Sequence, residues 1–309
     1  MFNHSLEGDD NMQIGIIGLG KMGKNLALNL LDHGHQVIGY DMSSEGLEIA
    51  RKEGIECANS LEELIESLSR RRAIWMMIPA GDPVDDTIKK LVPLLAEDDI
   101  IIDGGNSNFN NTLRRNEYLN QKGIHLVDAG TSGGVEGARH GACMMIGAEN
   151  DVFAYLEEVF KGVNVEKGYL HTGPTGSGHF TKMVHNGIEY GILQAIGEGF
   201  EILEASDFDL DYKEIARVWN HGSVIRSWLM ELTESAFSKD PNLEEIKGVV
   251  NSSGEGLWTV EEALKLKVPV PVIANSLFVR YRSQQEDTFS GKVIAALRNE
   301  FGGHKVEKR

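Results

Sequence analysis

Over its first half the chain alternates short apolar runs with stretches of helical period. The apolar runs fall at residues 13–18, 36–41, 73–78, 100–103 and 124–128. The helix-like stretches lie at 23–33, 44–53, 61–69, 85–95 and 110–122. Ile74-Trp75-Met76-Met77-Ile78 shows no polar alternation, as expected of a strand covered on both faces. Strand–helix alternation of this kind predicts an α/β fold with a Rossmann-type, doubly wound parallel sheet. Two later apolar stretches, 143–147 and 163–170, could extend the sheet.

Beyond Pro174 the pattern changes. Residues 178–205 read as one long helix despite Gly187, Gly191, Gly197 and Gly199. Each interior glycine costs about 1 kcal/mol relative to alanine, so close helix packing is the expected compensation. Further helices are expected at 211–220, 224–237, 259–266, 272–283 and 291–300, with no strand alternation among them. The reading is an α/β domain over 12–174 and an all-α domain over 175–309, built around the long helix.

Composition narrows the function classes. Acidic residues outnumber basic ones 47 to 30, a net charge of −17, which disfavours a nucleic-acid partner. No apolar run approaches the ~18 residues of a membrane span. Residues 1–11 are polar, precede a second methionine at Met12, and are expected to be a disordered or cloning-derived extension. Two cysteines, Cys57 and Cys143, make neither a disulfide framework nor a metal quartet. A cytoplasmic location is expected. His171, His179, His185, His221 and His304 lack metal-ligand spacing, so no metal is expected.

Three motifs carry candidate chemistry. Gly18-Leu19-Gly20-Lys21-Met22-Gly23 follows the first strand and opens the first helix. Glycines there let the backbone approach a pyrophosphate, which the helix N-terminus attracts. Asp41 ends the second strand, placed to bind ribose hydroxyls and to repel a 2′-phosphate. That favours NAD, with NADP possible but disfavoured.

The second motif is a set of strand-end loops: Ile78-Pro79-Ala80-Gly81-Asp82, Asp103-Gly104-Gly105-Asn106-Ser107 and Ala129-Gly130-Thr131-Ser132-Gly133-Gly134. Each alone is also ordinary turn chemistry. Several at one sheet edge would line a ligand crevice, with Asn106, Ser107 and Ser132 as short hydrogen-bonding groups. The third motif is Lys182, His185, Asn186 and Glu189, whose spacing puts them on one helical face. A solvated face is the alternative reading. Histidine and asparagine are less apt for it than long flexible charges, and a lysine removed from water can serve as a base.

These residues resemble the decarboxylating 6-phosphogluconate dehydrogenases, within the β-hydroxyacid dehydrogenase superfamily. The resemblance runs from Met12 almost to the end of the chain. It is carried by the glycine loop, Asp103-Gly104-Gly105-Asn106-Ser107, Ser132-Gly133-Gly134-Val135-Glu136-Gly137-Ala138-Arg139, the string from Lys182 to Gly191, Gly254-Glu255-Gly256-Leu257-Trp258-Thr259 and the tail Arg298-Asn299-Glu300-Phe301-Gly302-Gly303-His304.

The resemblance implies oxidative decarboxylation of 6-phosphogluconate to ribulose 5-phosphate and CO2. Lys182 would be base and then acid, and Glu189 the acid that protonates the enediol. Asn106, Ser132, Gly133, Gly134, His185 and Asn186 would hold the carboxylate and hydroxyls. Tyr190, Arg280 and Arg298 would hold the phosphate, with His304 beside them. Gly18, Leu19, Gly20, Lys21, Met22, Gly23, Asp41, Ile78, Pro79 and Asn106 would contact the cofactor. A homo-oligomer, dimer or tetramer, is implied, with the C-terminal tail completing a partner's site.

The sequence departs from the family at four points. Leu257 stands where longer members carry a phosphate-binding lysine, and Val135 replaces a glutamate. The helical domain is about half the length found in the long enzymes, and Asp41 differs from the Asn-Arg-Thr type of NADP users. Together they suggest a short, NAD-preferring branch. Two other functions stay open: a β-hydroxyacid dehydrogenase that does not decarboxylate, and a non-catalytic NAD(H)-binding sensor.

Overall fold

The computed structural model describes residues 11–307, so the expectation for residues 1–11 falls, Asn11 aside, outside them. The apolar runs form an eight-stranded sheet: β1 (Gln13–Ile17), β2 (Gln36–Tyr40), β3 (Glu56–Cys57), β4 (Ala73–Met76), β5 (Ile100–Asp103), β6 (His125–Ser132), β7 (Ala142–Gly147) and β8 (Asn164–Gly173). Their order is β3-β2-β1-β4-β5-β6-β7-β8. The winding direction reverses between β1 and β4, the switch point of a doubly wound sheet.

Helices α1 (Lys21–Asp32), α2 (Ser44–Lys52), α3 (Leu61–Ser67), α4 (Asp82–Leu91), α5 (Phe109–Asn120), α6 (Gly134–His140) and α7 (Asn150–Val163) connect the strands. Successive strand residues point to opposite faces, and two apolar clusters follow. One joins Ile14, Ile16 and Trp75 to Leu26, Leu30, Leu156 and Phe160. The other joins Ile17, Ile74 and Ile101 to Leu64, Ile88, Leu91 and Leu119. Each fully buried side chain of this size contributes about 1.5–3 kcal/mol.

The structure corrects the sequence reading in three places. The sheet is parallel except where β7 runs antiparallel to β6. β6 continues through Ser132, so Ala129 to Ser132 are strand rather than loop. β3, α6 and α7 were not anticipated, and Val163 ends α7 instead of starting a strand.

The chain divides into two compact units, one ending at His185 and the other starting at Asn186. The division falls inside α8 (Ser177–Glu204), the long helix. The second unit is helical: α9 (Tyr212–Asn220), α10 (Trp228–Lys239), α11 (Glu255–Leu266), α12 (Pro271–Ser283) and α13 (Phe289–Gly302). α10 begins later than the sequence suggested because the Ser227 hydroxyl accepts from Met230 N and caps it there. Phe200, Ala216, Met230 and Phe237 form the small core of this unit.

Of Gly187, Gly191, Gly197 and Gly199 in α8, packing accounts for two. A Cβ on Gly187 would meet Thr259 at 2.6 Å, and one on Gly191 would meet Val272 at 3.2 Å. Gly197 and Gly199 face open space, so close packing does not explain them. Among the described residues, no helix is long and apolar enough to cross a membrane.

Candidate active site

The glycine loop sits where β1 passes into α1. Gly18 has φ +94°, and a Cβ on it would lie 2.5 Å from the Met77 carbonyl oxygen and 2.8 Å from Ile78 Cγ2. The loop is therefore seated on the end of β4. Gly20 caps α1 without a side chain and has nothing within 4 Å of its Cβ position. The first turn of α1 thus offers its N–H groups and positive dipole end to an anion. Leu19 is buried and packs over Gly39, so only its backbone is available to a ligand.

Asp41 is held beside this loop. Leu19 N donates to its Oδ2 at 2.7 Å and Ser43 N donates to its Oδ1 at 2.8 Å. Open α1 terminus, left-handed Gly18 and fixed carboxylate fit a dinucleotide. Ile78, Pro79 and Asn106 follow the neighbouring strands β4 and β5, and Pro79 and Asn106 are exposed.

Lys182 lies in the second turn of α8, and the sheet fixes where that helix starts. Asp128, fully buried on β6, accepts from Gly176 N at 2.6 Å and from His179 N at 2.7 Å. Burial pushes this carboxyl above the usual carboxylate range, opposed by His179 and those two N–H groups. Two residues further along β6, a Cβ on Gly130 would overlap the Lys182 Cβ. The lysine therefore rests directly on β6 backbone.

Lys182 is only 6% exposed. Its Nζ is 3.2 Å from His185 Nδ1, and His185 Nε2 is 3.4 Å from Ser132 Oγ. Gly133, left-handed at φ +119°, caps α6 just after Ser132. Amine, imidazole and hydroxyl in sequence can hold and move a proton at a substrate oxygen. Asn186 is buried and Glu189 half-buried on the following turns of α8.

In the helical unit, Arg280 and Tyr190 come together. The guanidinium lies 3.4 Å from the Tyr190 ring centroid, and Nη1 donates to the Asn251 carbonyl oxygen at 3.2 Å. Stacking on a ring fixes an arginine fork for an anion. Arg298 and His304 are exposed on and just after α13, where Asn299 Nδ2 donates to the His304 carbonyl oxygen at 2.9 Å. Leu257 and Val135 are exposed.

Sequence reasoning missed the buried polar side chains beneath these loops. Besides Asp128 they are Thr112, whose hydroxyl meets His179 Nδ1 at 2.8 Å, and Arg115. An isolated polar residue in an apolar surrounding was the available signal for Asp128. For Arg115 there was none, since it stands in a polar helix segment.

Fold and site together define a dinucleotide-binding α/β protein with a buried lysine at the end of its first domain. The chain belongs to the 6-phosphogluconate dehydrogenase family of oxidoreductases. The profile of the NAD binding domain of 6-phosphogluconate dehydrogenase matches residues 13–169, and that of the C-terminal domain matches residues 178–300. YqeC of Bacillus subtilis, named provisionally as a 6-phosphogluconate dehydrogenase, is 55% identical over 96% of this chain and 100% of its own length.

A Haloferax volcanii protein named as an NAD(+)-dependent, decarboxylating 6-phosphogluconate dehydrogenase is 44% identical, covering 96% of this chain and 99% of its own. A solved Plasmodium falciparum 6-phosphogluconate dehydrogenase superposes with a TM-score of 0.82 at 30% identity. That match covers 96% of this chain but 66% of the other, so the chain is markedly the shorter of the two.

Proposed function

We propose that the protein oxidises and decarboxylates 6-phosphogluconate to ribulose 5-phosphate, preferring NAD to NADP. The observation that carries this reading is the buried Lys182 in line with His185 and Ser132. NAD would lie over Gly18 to Gly23, with Asp41 on its ribose, and when bound supplies the two-electron acceptor. Lys182 takes the proton from the substrate 3-hydroxyl as C3 is oxidised, leaving a β-keto acid. The bond to the carboxylate then breaks, CO2 leaves, and its electron pair passes to the C3 carbonyl. Lys182 returns the proton to that oxygen, and Glu189 then protonates the adjacent carbon of the enediol while Lys182 takes the oxygen's proton back, which gives the ketone.

Asn106, Ser132, Gly133, Gly134, His185 and Asn186 hold the carboxylate and hydroxyls in this scheme. Arg280, already stacked on Tyr190, takes the phosphate with Arg298 and His304. A substrate that carries both a carboxylate and a phosphate needs such local cations to approach a chain of net charge −17. Arg298 and His304 are proposed to act on the site of a second copy. Two features of the helical unit support that: α13 has no buried residue among those described, and an apolar groove of about 530 Å³ runs along α8 and α10.

The test is an assay with 6-phosphogluconate, NAD and NADP in turn, following nicotinamide reduction and CO2 together. Equal amounts of both products, formed faster with NAD, are expected. Reduction without CO2 would leave a plain β-hydroxyacid dehydrogenase. NAD binding without any reduction would leave a sensor.

A further inference from the structure

Arg115 is the largest buried charge of the α/β unit, with its side chain 2% exposed. It sits on α5, and its hydrogen bonds run to Gly81 and Asp85, just before and within the start of α4, and to Asp103 and Ser107, at and just after the end of β5. Nε donates to Asp85 Oδ1 at 2.9 Å, and Nη2 donates to Asp85 Oδ2 at 3.3 Å and to the Gly81 carbonyl oxygen at 2.9 Å. Nη1 donates to Asp103 Oδ2 at 3.4 Å and to Ser107 Oγ at 3.3 Å. Every N–H of the fork has an acceptor, three on the β4 side and two on the β5 side.

Asp103 completes the second loop. Its Oδ1 accepts from Gly105 N at 3.1 Å and its Oδ2 from Ser107 Oγ at 2.8 Å. The residues on either side of Asn106 are thereby tied to one carboxylate, which Arg115 neutralises, while Asn106 itself is exposed. A Cβ on Gly105 would lie 3.2 Å from the Ile78 carbonyl oxygen, so this loop also rests on the other. Replacing a buried ion cluster by apolar side chains is often neutral or stabilising for a fold. Core stability is therefore a weak reason for a guanidinium here, and loop geometry is a strong one.

We propose that Arg115 is a positioning residue that locks the 78–81 and 104–107 loops together, and so sets where Asn106 meets the cofactor and substrate. The proposal rests on the reading of Asn106 and Ile78 as binding residues. A point charge with three donors cannot replace the fork. Arg115→Lys keeps the charge and loses the span, while Ser107→Ala removes one tie and is the milder variant. Arg114→Lys, which reaches only Asp85 from the exposed side, is the control.

The experiment measures the Kd for NADH by fluorescence titration, KM for NAD and 6-phosphogluconate, kcat and the melting temperature. For Arg115→Lys we expect Kd and KM to rise roughly tenfold, the scale of a loop displaced by well under 1 Å. Ser107→Ala should give about a third of that effect on the same scale, and Arg114→Lys should match the wild type. A purely structural role would lower the folded fraction, hence the melting temperature and kcat, and leave the constants of the folded enzyme alone. Wild-type Kd and KM in both Arg115→Lys and Ser107→Ala would overturn the proposal. If Arg115→Lys does not fold, Ser107→Ala decides. If wild-type protein fails to oxidise 6-phosphogluconate, the reaction assignment falls while the NADH Kd still judges Arg115.

Discussion

The two units bury their apolar side chains to very different extents. In the α/β unit the sheet is covered on both faces, and Ile14, Ile16, Trp75, Ile100 and Phe160 are wholly buried. In the helical unit Phe289 is 80% and Phe301 77% exposed, and α13 has no buried residue among those described. A sheet wrapped by its own crossovers completes its core within one chain. A set of short helices does so only when enough of them surround each apolar face. The first unit thus reads as a finished scaffold, and the second as one that leaves apolar surface uncovered within the chain.

That contrast separates the consequences of mutation. The largest effect is expected from Lys182→Met, which should reduce turnover by roughly 10²- to 10⁴-fold, the usual range for a general base. NADH affinity, which depends on the glycine loop, should stay at the wild-type value. Turnover within a few-fold of wild type would remove the lysine from the chemistry.

Ending the chain after Leu297 probes the other unit. It removes Arg298 and His304, and loss of one charge-assisted hydrogen bond to phosphate corresponds to roughly a tenfold rise in KM or more. The KM for NAD should not move. Unchanged kinetics with the phosphorylated substrate would exclude the tail from the site.

Asp41→Ala should act on the first unit alone. It is expected to lower kcat/KM with NAD about tenfold and narrow the gap to NADP, with KM for 6-phosphogluconate unaltered. An unchanged cofactor ratio would place selectivity elsewhere.

The smallest effect concerns pH. Burial, and then the charge of His33, pull His35 below the ordinary histidine range, and its Nδ1 accepts from Met12 N at 3.2 Å. A histidine held neutral stabilises the fold fully above its ordinary pKa of about 6.5 and loses that contribution as pH falls through the lowered value. Melting of the wild type should therefore fall between pH 7 and 5 by a few degrees more than that of His35→Asn, as about 1 kcal/mol or less predicts. Parallel slopes would show that His35 is not linked to folding.

The sheet strands and long helices were legible because burial on one or both faces writes a period into the sequence. β3 is two residues, Glu56 and Cys57, too short to write any. α6 reads Gly-Val-Glu-Gly-Ala-Arg-His, with glycines where an apolar stripe would stand. The reversed direction of β7 left no mark, since an apolar run looks the same from either end. The dinucleotide loop and the Lys182 face were legible because their residues are close in sequence. Arg115 and Asp85 are 30 residues apart and Asp128 and His179 are 51 apart. Their meeting is decided by strand order, which sequence spacing does not encode.

α8 is one uninterrupted helix of 28 residues, about 42 Å at 1.5 Å per residue. Each residue in such a rod adds about 100° of rotation. Inserting or deleting a single residue between Lys182 and Glu189 would swing every later side chain onto another face, with no loop nearby to absorb the turn. The spacing of this segment is therefore a phase, set by the number of residues as much as by their identity.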